Sequence, residues 1–293
     1  MKYIYYPGCS LEGTAAEYNI STTALMAALG VELTELDDWV CCGATAAEGI
    51  SHLLSFALPA RNIAAAEKMK ANCDILVPCS ACYLNLKKVE AEIRDDPDLF
   101  KKINQVLAEE DLSLKGNIKT RHLLDVLVTD IPVGDIASKV TRPFENLSIA
   151  PYYGCQCLRP YTAFDDPEDP HSMDGIIEAL GASVHEWDMG GKCCGASLMS
   201  TAPEAGIELV AALLEAARGA DAVVTVCPMC QMNLEAYQRR ASKKRNTRFE
   251  MPVLYLPQLM GLAMGLTEHD VRLDLNLCVP DSFREKLKTP QPA

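Results

Sequence analysis

Thirteen cysteines are present in this chain of 293 residues, and ten of them form a five-cysteine pattern that occurs twice. In each copy a single cysteine precedes an adjacent cysteine pair, and a C-x-x-C motif follows. The groups are separated by 31 and 36 residues in the first copy and by 37 and 32 in the second. The two sets are Cys9, Cys41, Cys42, Cys79 and Cys82, and Cys155, Cys193, Cys194, Cys227 and Cys230. A duplicated pattern of this length predicts two halves with the same fold.

The domain organisation follows from the repeat. A glycine follows the cysteine pair in both copies, at Gly43 and Gly195, so the local sequence repeats together with the cysteines. The chain length suits two domains of ordinary size. We predict a first domain over residues 1–140 and a second over 141–293, with the boundary in segment 132–146, which contains two prolines and a glycine.

Charge and hydropathy exclude several classes of protein. The net charge of −13, from 27 basic and 40 acidic residues, disfavours nucleic-acid binding, which needs a basic surface. The short basic run at 239–245 is interpreted as a solvated helix end between predicted elements, with partner docking as the alternative. No segment reaches the roughly 18 apolar residues of a membrane span. Because the N-terminus lacks signal-peptide architecture, a cytoplasmic protein with reduced thiols is expected.

Strand and helix patterns alternate along both halves. Strands are predicted at 3–6, 31–36, 74–77, 148–153, 183–187 and 222–226, with closing segments at 122–128 and 251–256. Helices are predicted at 15–29, 59–71, from the first C-x-x-C to about 93, within 95–117, at 174–180 and at 203–218. This alternation predicts an α/β fold with two similar domains, each a mainly parallel sheet with flanking helices.

The cysteines occupy a meaningful place in this pattern. Every cysteine group follows the carboxyl end of a predicted strand, and ligands gather at that edge of an open α/β sheet. Each C-x-x-C also opens a predicted helix, whose first amides are expected to stabilise thiolate charge and lower the thiol pKa.

Clustered cysteines in a reducing compartment indicate metal binding or catalysis. A zinc site uses four ligands and would leave one thiol of each set unused. An ordinary cubane cluster also uses four cysteines. The fifth thiol therefore indicates either an atypical iron–sulfur cluster with an additional ligand or a thiol kept for chemistry. No glycine-rich phosphate loop occurs, so no flavin or nucleotide is expected in this chain.

The full pattern, with glycine after the cysteine pair, resembles the CCG cysteine-rich domain. Two such domains in one short chain resemble the B subunit of heterodisulfide reductase and its bacterial relatives, over essentially the whole sequence. The resemblance implies two noncubane [4Fe-4S] clusters, one held by each five-cysteine set. It also implies reductive cleavage of a disulfide, which in methanogenesis is CoM-S-S-CoB. Electrons would come from a ferredoxin-like iron–sulfur subunit, which is fed by a separate flavin subunit.

Two one-electron clusters facing each other across a domain interface suit a disulfide, whose cleavage needs two electrons. We expect Cys42 and Cys194 to be catalytic within their sets. An alternative is an electron-transfer component of another CCG-domain complex, of the succinate/fumarate or glycolate/lactate type. A second alternative is a structural zinc module. The identity of the disulfide stays open at this point.

Residues outside the pattern are interpreted separately. Cys73 and Cys278 are expected to be inert buried thiols, whereas Cys157 is either inert or lines the second site. Lys192 and Arg159 lie next to proposed ligands in the sequence. They either hold an anionic substrate group through charge-assisted hydrogen bonds or offset the negative charge of a cluster.

Overall fold

The computed structural model describes residues 1–44 and 46–288, and it contains two four-stranded sheets, one from each half of the repeat. The strands are β1 (Lys2–Tyr5), β2 (Glu32–Glu35), β3 (Ile75–Val77), β4 (Thr120–His122), β5 (Ser148–Tyr152), β6 (Ser183–Val184), β7 (Ala222–Thr225) and β8 (Val253–Tyr255). All strand pairs are parallel. The sheet orders β2-β1-β3-β4 and β6-β5-β7-β8 are equivalent, which confirms the predicted fold class.

Helices connect the strands, as parallel pairing requires. The α-helices are α1 (Cys9–Glu12), α2 (Ala16–Ala28), α3 (Ala46–Ile50), α4 (His52–Met69), α5 (Ser80–Asp95), α6 (Pro97–Leu107), α7 (Leu123–Thr129), α8 (Val133–Ser138), α9 (Asp174–Ala179), α10 (Pro203–Ala216), α11 (Pro228–Ala236), α12 (Gln238–Arg245), α13 (Leu256–Ala263) and α14 (Asp281–Lys288). Short 3-10 turns lie at Ala108–Glu110, Ala196–Leu198 and Leu273–Leu275. Gly30 and Gly181 follow α2 and α9 with positive φ, as expected of helix stops.

Two predicted element boundaries are wrong. The helix predicted from residue 59 begins at His52, because the Ser51 side chain accepts the Leu54 amide and caps the helix there. Pro59 therefore lies inside α4. The strand predicted at 183–187 contains only two residues, and beyond it the Trp187 indole N–H donates to the Pro151 carbonyl at 3.0 Å.

Other segments also differ from the prediction. The closing segment 122–128 is mainly helical, because His122 ends β4 and its ring nitrogen accepts the Leu124 amide as the cap of α7. The predicted boundary segment 132–146 contains the helix α8, which begins directly after Pro132. The division at residue 140 stays a prediction.

The basic run at 239–245 belongs to helix α12 and reaches its end, so the interpretation as a helix end is confirmed, whereas its predicted place between elements is wrong. Its side chains pair with acidic residues of α10. Arg240 lies 2.9 Å from Glu204, and Lys244 lies 3.3 Å from Glu208. The run therefore joins two helices of the second half.

The two halves exchange aromatic contacts. The ring of Tyr18, on α2, stacks on Tyr255 of the second half, with centroids 4.1 Å apart and an interplanar angle of 1°. The ring of Phe164, in the second half, stacks on His122 of the first at 6.2 Å and 6°. Tyr18 and Phe164 each lie nine residues after the first cysteine of their own set. His122 and Tyr255 each end the last strand of their sheet, so the contacts are related by the repeat.

Candidate metal-binding sites

The first cysteine set converges at the carboxyl edge of the first sheet. Its three groups follow β1, β2 and β3. The Cys9 and Cys41 sulfurs lie 3.6 Å apart, and those of Cys42 and Cys82 lie 3.4 Å apart. The charge of Cys79 acts on both Cys9 and Cys82, which places the fifth thiol in the same group.

The second set converges in the same way after β5, β6 and β7. Burial, followed by the charges of Cys193, Cys227 and Cys194, raises the pKa of Cys155 to about 11. Cys230 interacts through hydrogen bonds with both Cys194 and Cys227. The structure therefore brings together all five predicted side chains in each half.

Each site is buried on one side and open on the other. The buried thiols are Cys42, Cys79, Cys82, Cys194, Cys227 and Cys230. The thiols nearer the surface are Cys9, Cys41 and Cys193, which are exposed, and Cys155, which is half-buried. All thirteen cysteines are free thiols, as expected if the clusters of cysteine serve metal binding.

A buried tyrosine fixes the loop before the cysteine pair in each half. The Tyr6 hydroxyl donates to the Val40 carbonyl at 2.8 Å, and the Tyr152 hydroxyl donates to the Lys192 carbonyl at 2.8 Å. Both tyrosines lie three residues before the first cysteine, and both carbonyls directly precede the pair. The repeat therefore extends to the hydrogen bonds that hold the ligands in place.

Glycine before the first cysteine lets the C-x-x-C sulfur approach the backbone. Gly8 and Gly154 have φ of 72° and 71°. A Cβ atom at Gly8 would lie 2.7 Å from the Cys82 sulfur, and one at Gly154 would lie 2.9 Å from the Cys230 sulfur. Only glycine leaves room for sulfur and adopts this backbone without strain.

The second member of each cysteine pair has a lowered pKa. A hydrogen bond with Cys82 lowers the pKa of Cys42 to about 6. A hydrogen bond with Cys230 lowers the pKa of Cys194 to about 7. These are the two thiols expected to be catalytic.

The helix effect predicted for the C-x-x-C motifs holds only in part. Cys79 and Cys227 do precede the first residues of α5 and α11. The pKa of Cys227 is lowered, with the hydrogen bond from Cys230 as the largest cause. The pKa values of Cys82 and Cys230 are raised, because each shares a hydrogen bond with a neighbouring thiolate and is buried. For these two thiols the prediction is wrong.

Two asparagines complete the sites, and sequence analysis missed them. The Asn85 amide donates to the Cys42 sulfur at 3.6 Å, and the Asn233 amide donates to the Cys194 carbonyl at 2.8 Å. Each lies three residues after the last cysteine of its set. That shared spacing, read as part of the repeat, was the available signal.

Of the three cysteines outside the two sets, two differ from expectation. Cys157 is buried, close to Cys155 and Cys227, and its thiol donates to the Tyr153 carbonyl at 3.2 Å. Cys73 and Cys278 are only half-buried, so the prediction that they are buried is wrong. Both lie away from the strand edges that carry the two sets, and burial raises the pKa of each.

The two basic residues have different environments. Arg159 forms an ion pair with Glu168 at 2.9 Å and donates to the Gly191 carbonyl, so it holds a surface loop against the turn before Cys193. Lys192 is exposed beside the same turn. Arg159 is thus engaged within the chain, while Lys192 stays available at the surface.

The donor set fits a thiophilic metal. Five thiols lie together in each half, and iron in clusters is held by cysteine thiolates. Among the described residues, no group of three or more histidine, cysteine, aspartate or glutamate side chains is arranged as a ready cage for a metal ion. The sulfurs instead contact one another in pairs, so the fit rests on the chemistry and number of the donors.

Comparison with known proteins identifies the family. The family model described as a cysteine-rich domain, CCG, matches residues 3–87 and 149–235. The chain therefore belongs to the family of cysteine-rich CCG-domain proteins that includes the B subunit of heterodisulfide reductase. The five-cysteine sets lie within these two matched segments.

Two relatives match nearly the full length. The 8-methylmenaquinol:fumarate reductase membrane anchor subunit of Wolinella succinogenes is 35% identical over 94% of this chain and 96% of its own. The B subunit of the ferredoxin/F(420)H(2)-dependent CoB-CoM heterodisulfide reductase of Methanosarcina acetivorans is 27% identical over 98% of this chain and 97% of its own. Both are oxidoreductase subunits by name. No helix within the described residues has the length and apolar character needed to cross a bilayer.

A solved structure shares the fold. The crystal structure of a hypothetical protein from Helicobacter pylori matches with a TM-score of 0.75 and 17% identity. The match covers 96% of this chain and 52% of that chain. At this identity the likeness concerns the fold alone.

Proposed function

We propose that the chain is the catalytic subunit of a heterodisulfide reductase or a close homologue, and that it binds two noncubane [4Fe-4S] clusters. The observation that carries this proposal is the convergence of five thiols in each half at the carboxyl edge of its sheet. The lowered pKa values of Cys42 and Cys194 are consistent with it. When bound, the clusters would each supply one of the two electrons that cleave a disulfide.

The chain's own residues hold and shield these sites. The buried thiols of each half would hold its cluster from the protein side, and the thiols nearer the surface would hold it from the solvent side. Tyr6 and Tyr152 fix the backbone before each pair, and Asn85 donates to a ligand sulfur. Hydrogen bonds to ligand sulfurs and solvent exposure set the potential of an iron–sulfur centre.

Partner subunits would deliver the electrons. The described residues include no ferredoxin-type run of closely spaced cysteines beyond the two sets, so a ferredoxin-like iron–sulfur subunit and a flavin subunit are the expected donors. The names of the heterodisulfide reductase relatives support this assembly. The disulfide would be CoM-S-S-CoB or another small disulfide with unlike halves.

The first test is metal analysis of anaerobically prepared protein. About eight irons per chain with matching sulfide are expected for two four-iron clusters. About two zincs with little sulfide would overturn the proposal and favour a structural zinc module. The variants Cys42→Ser and Cys194→Ser should each abolish disulfide reduction, and retained activity in both would exclude their catalytic role.

A second candidate is supported by the fumarate reductase relative, whose 35% identity exceeds that of the heterodisulfide reductase relative described above. In this case the chain would relay electrons in a fumarate or succinate oxidoreductase complex. Chemically reduced protein, mixed with stoichiometric CoM-S-S-CoB, separates the two functions. Reoxidation of the clusters by the disulfide supports the reductase, whereas reoxidation only through the fumarate reductase subunits supports the relay.

A further inference from the structure

A buried hydroxyl lies between the two sites. The Tyr18 hydroxyl is 3.1 Å from the Pro78 carbonyl and 3.1 Å from the Val226 carbonyl. Pro78 and Val226 directly precede the first cysteines of the two C-x-x-C motifs, Cys79 and Cys227. The Tyr18 side chain therefore contacts, in each half, the backbone carbonyl directly before a proposed cluster ligand.

Ser80 and His122 form a second group of hydrogen bonds that also reaches the Val226 carbonyl. The Ser80 hydroxyl donates to the Val226 carbonyl at 3.1 Å and lies 3.2 Å from Nε2 of His122. The Leu124 amide donates to Nδ1 of His122, which assigns the ring hydrogen to Nε2 and makes Ser80 its acceptor. Burial lowers the pKa of His122 to about 3, so the ring is neutral. Nε2 of His122 therefore faces Ser80 and the Pro78 and Val226 carbonyls, and Ser80 in turn donates to the Val226 carbonyl.

The Tyr18 hydroxyl, which contacts both halves, has no counterpart in the second half of the repeat. Phe164 occupies the position equivalent to Tyr18 and has no hydroxyl. Both rings stack across the interface between the halves, so packing alone does not require a hydroxyl at Tyr18. A buried polar group without a hydrogen bond would be costly, and among the described residues the Tyr18 hydroxyl finds its acceptors in the two carbonyls.

The Tyr18 hydroxyl has one hydrogen, so it donates fully to only one carbonyl at a time. Negative charge added to the site in one half would make the neighbouring carbonyl the stronger acceptor and would draw the Tyr18 hydrogen toward it. The proton stays on the Tyr18 oxygen, and only its acceptor changes. The other site then loses a donor, which disfavours its own reduction.

We propose that Tyr18, with Ser80 and His122 as positioning residues, couples the two cysteine sites so that reduction of one lowers the potential of the other. This inference rests on the proposed function, because it requires a redox centre in each half. Its consequence is sequential loading, in which the first electron from the partner is held at one site before the second enters. The coupling would travel through packed, hydrogen-bonded groups with two discrete arrangements.

The test compares the midpoint potentials of the two clusters in the full chain by redox titration followed by EPR. Tyr18→Phe keeps the ring that stacks on Tyr255 and removes the hydroxyl. We expect the two midpoint potentials to move closer together, so that the ratio of the two reduction equilibrium constants falls about fivefold. This factor corresponds to the net free energy of one hydrogen bond. Ser80→Ala should give a smaller change in the same direction.

Tyr83→Phe is the matched control. Tyr83 is equally buried and lies directly after Cys82, and its hydroxyl has no hydrogen-bond partner within the described part of the chain. Its removal should leave both potentials unchanged. Iron and sulfide are measured first in every variant. Full iron in Tyr18→Phe and Ser80→Ala, with unchanged potentials, would overturn the coupling alone, whereas wild-type protein without iron would overturn the proposed function itself.

Discussion

The two cysteine sites have the same arrangement of thiols but differ in how the neighbouring chain shields them from solvent. In the first half, Cys9 is exposed and is followed by the helix α2, which packs against α13 of the second half. In the second half, Cys155 is half-buried, and the residues up to α9 form turns held by the ion pair of Arg159 with Glu168. Both halves carry the same five cysteines, whereas the segment after the first cysteine has a different structure and different contacts in each half. Access to each site is therefore set by that segment.

A second difference lies on the helix that follows each C-x-x-C. Lys87 and Glu235 both lie five residues after the last cysteine of their set. Lys87 pairs with Glu90 at 2.9 Å within α5. Glu235 is buried and accepts the amides of Leu277 and Cys278, which ties the C-terminal segment to α11. Equivalent positions thus carry a basic and an acidic residue, which have different structural duties.

The largest expected effect comes from filling the space beside the C-x-x-C sulfur. Gly8→Ala should lose the iron of the first site, about four of eight atoms, and Gly154→Ala that of the second. The first change should be the more severe, because its Cβ would lie closer to sulfur, at 2.7 Å against 2.9 Å. Iron analysis with EPR of each variant measures the effect.

Gly30→Ala is the matched control for these variants. Gly30 has φ of 77°, and a Cβ atom there would meet nothing within 4 Å. It should cost about 1 kcal/mol of stability through the backbone alone and keep all iron. Equal loss of iron in Gly30→Ala would show that strain, and not contact with sulfur, removes the metal.

The second-largest expected effect is a dependence of stability on pH that comes from Glu235. Burial raises its pKa to about 7, so the folded chain holds a proton that the unfolded chain releases near pH 4.5. The resulting stabilisation is complete below pH 4.5 and is lost as the pH rises through 7, by about 3 kcal/mol. Denaturant unfolding between pH 5 and 8 should show this decline in the wild type and a flatter profile in Glu235→Gln. An unchanged slope in the variant would assign the decline to another group.

Sequence analysis predicted the fold class because strand and helix patterns alternate and because the cysteines mark equivalent strand ends. It identified two five-cysteine sets whose side chains lie together in the structure, since their spacing repeats, and their role as cluster ligands stays a prediction. It missed α8 and the early start of α4, where local caps such as Ser51 decide the boundary. It also missed Tyr18, His122 and the two asparagines, because contacts across the interface and protonation within thiol pairs depend on tertiary packing.

The third-largest expected effect tests the difference in solvent exposure between the thiols of the first and the second site. Iron release to a water-soluble chelator should be biphasic, and the fast phase should belong to the first site, where both Cys9 and Cys41 are exposed. The fast phase should be absent from Cys9→Ser, and Cys155→Ser should lack the slow one. Reversed assignments would show that the cover over Cys155 does not protect the second site.

The smallest effect concerns the two asparagines. Asn85→Leu removes a donor to the Cys42 sulfur, so the reduced state loses stabilisation and the potential of the first site should fall by about 40 mV. Asn233→Leu removes a bond to the Cys194 carbonyl and a lesser contact with the Cys194 sulfur, so it should shift the second potential less, while lowering stability by about 1 kcal/mol. Redox titration of both variants gives the comparison. Equal shifts would mean that the backbone carbonyl and the sulfur respond alike, and that the two sites are electronically more similar than their hydrogen bonds indicate.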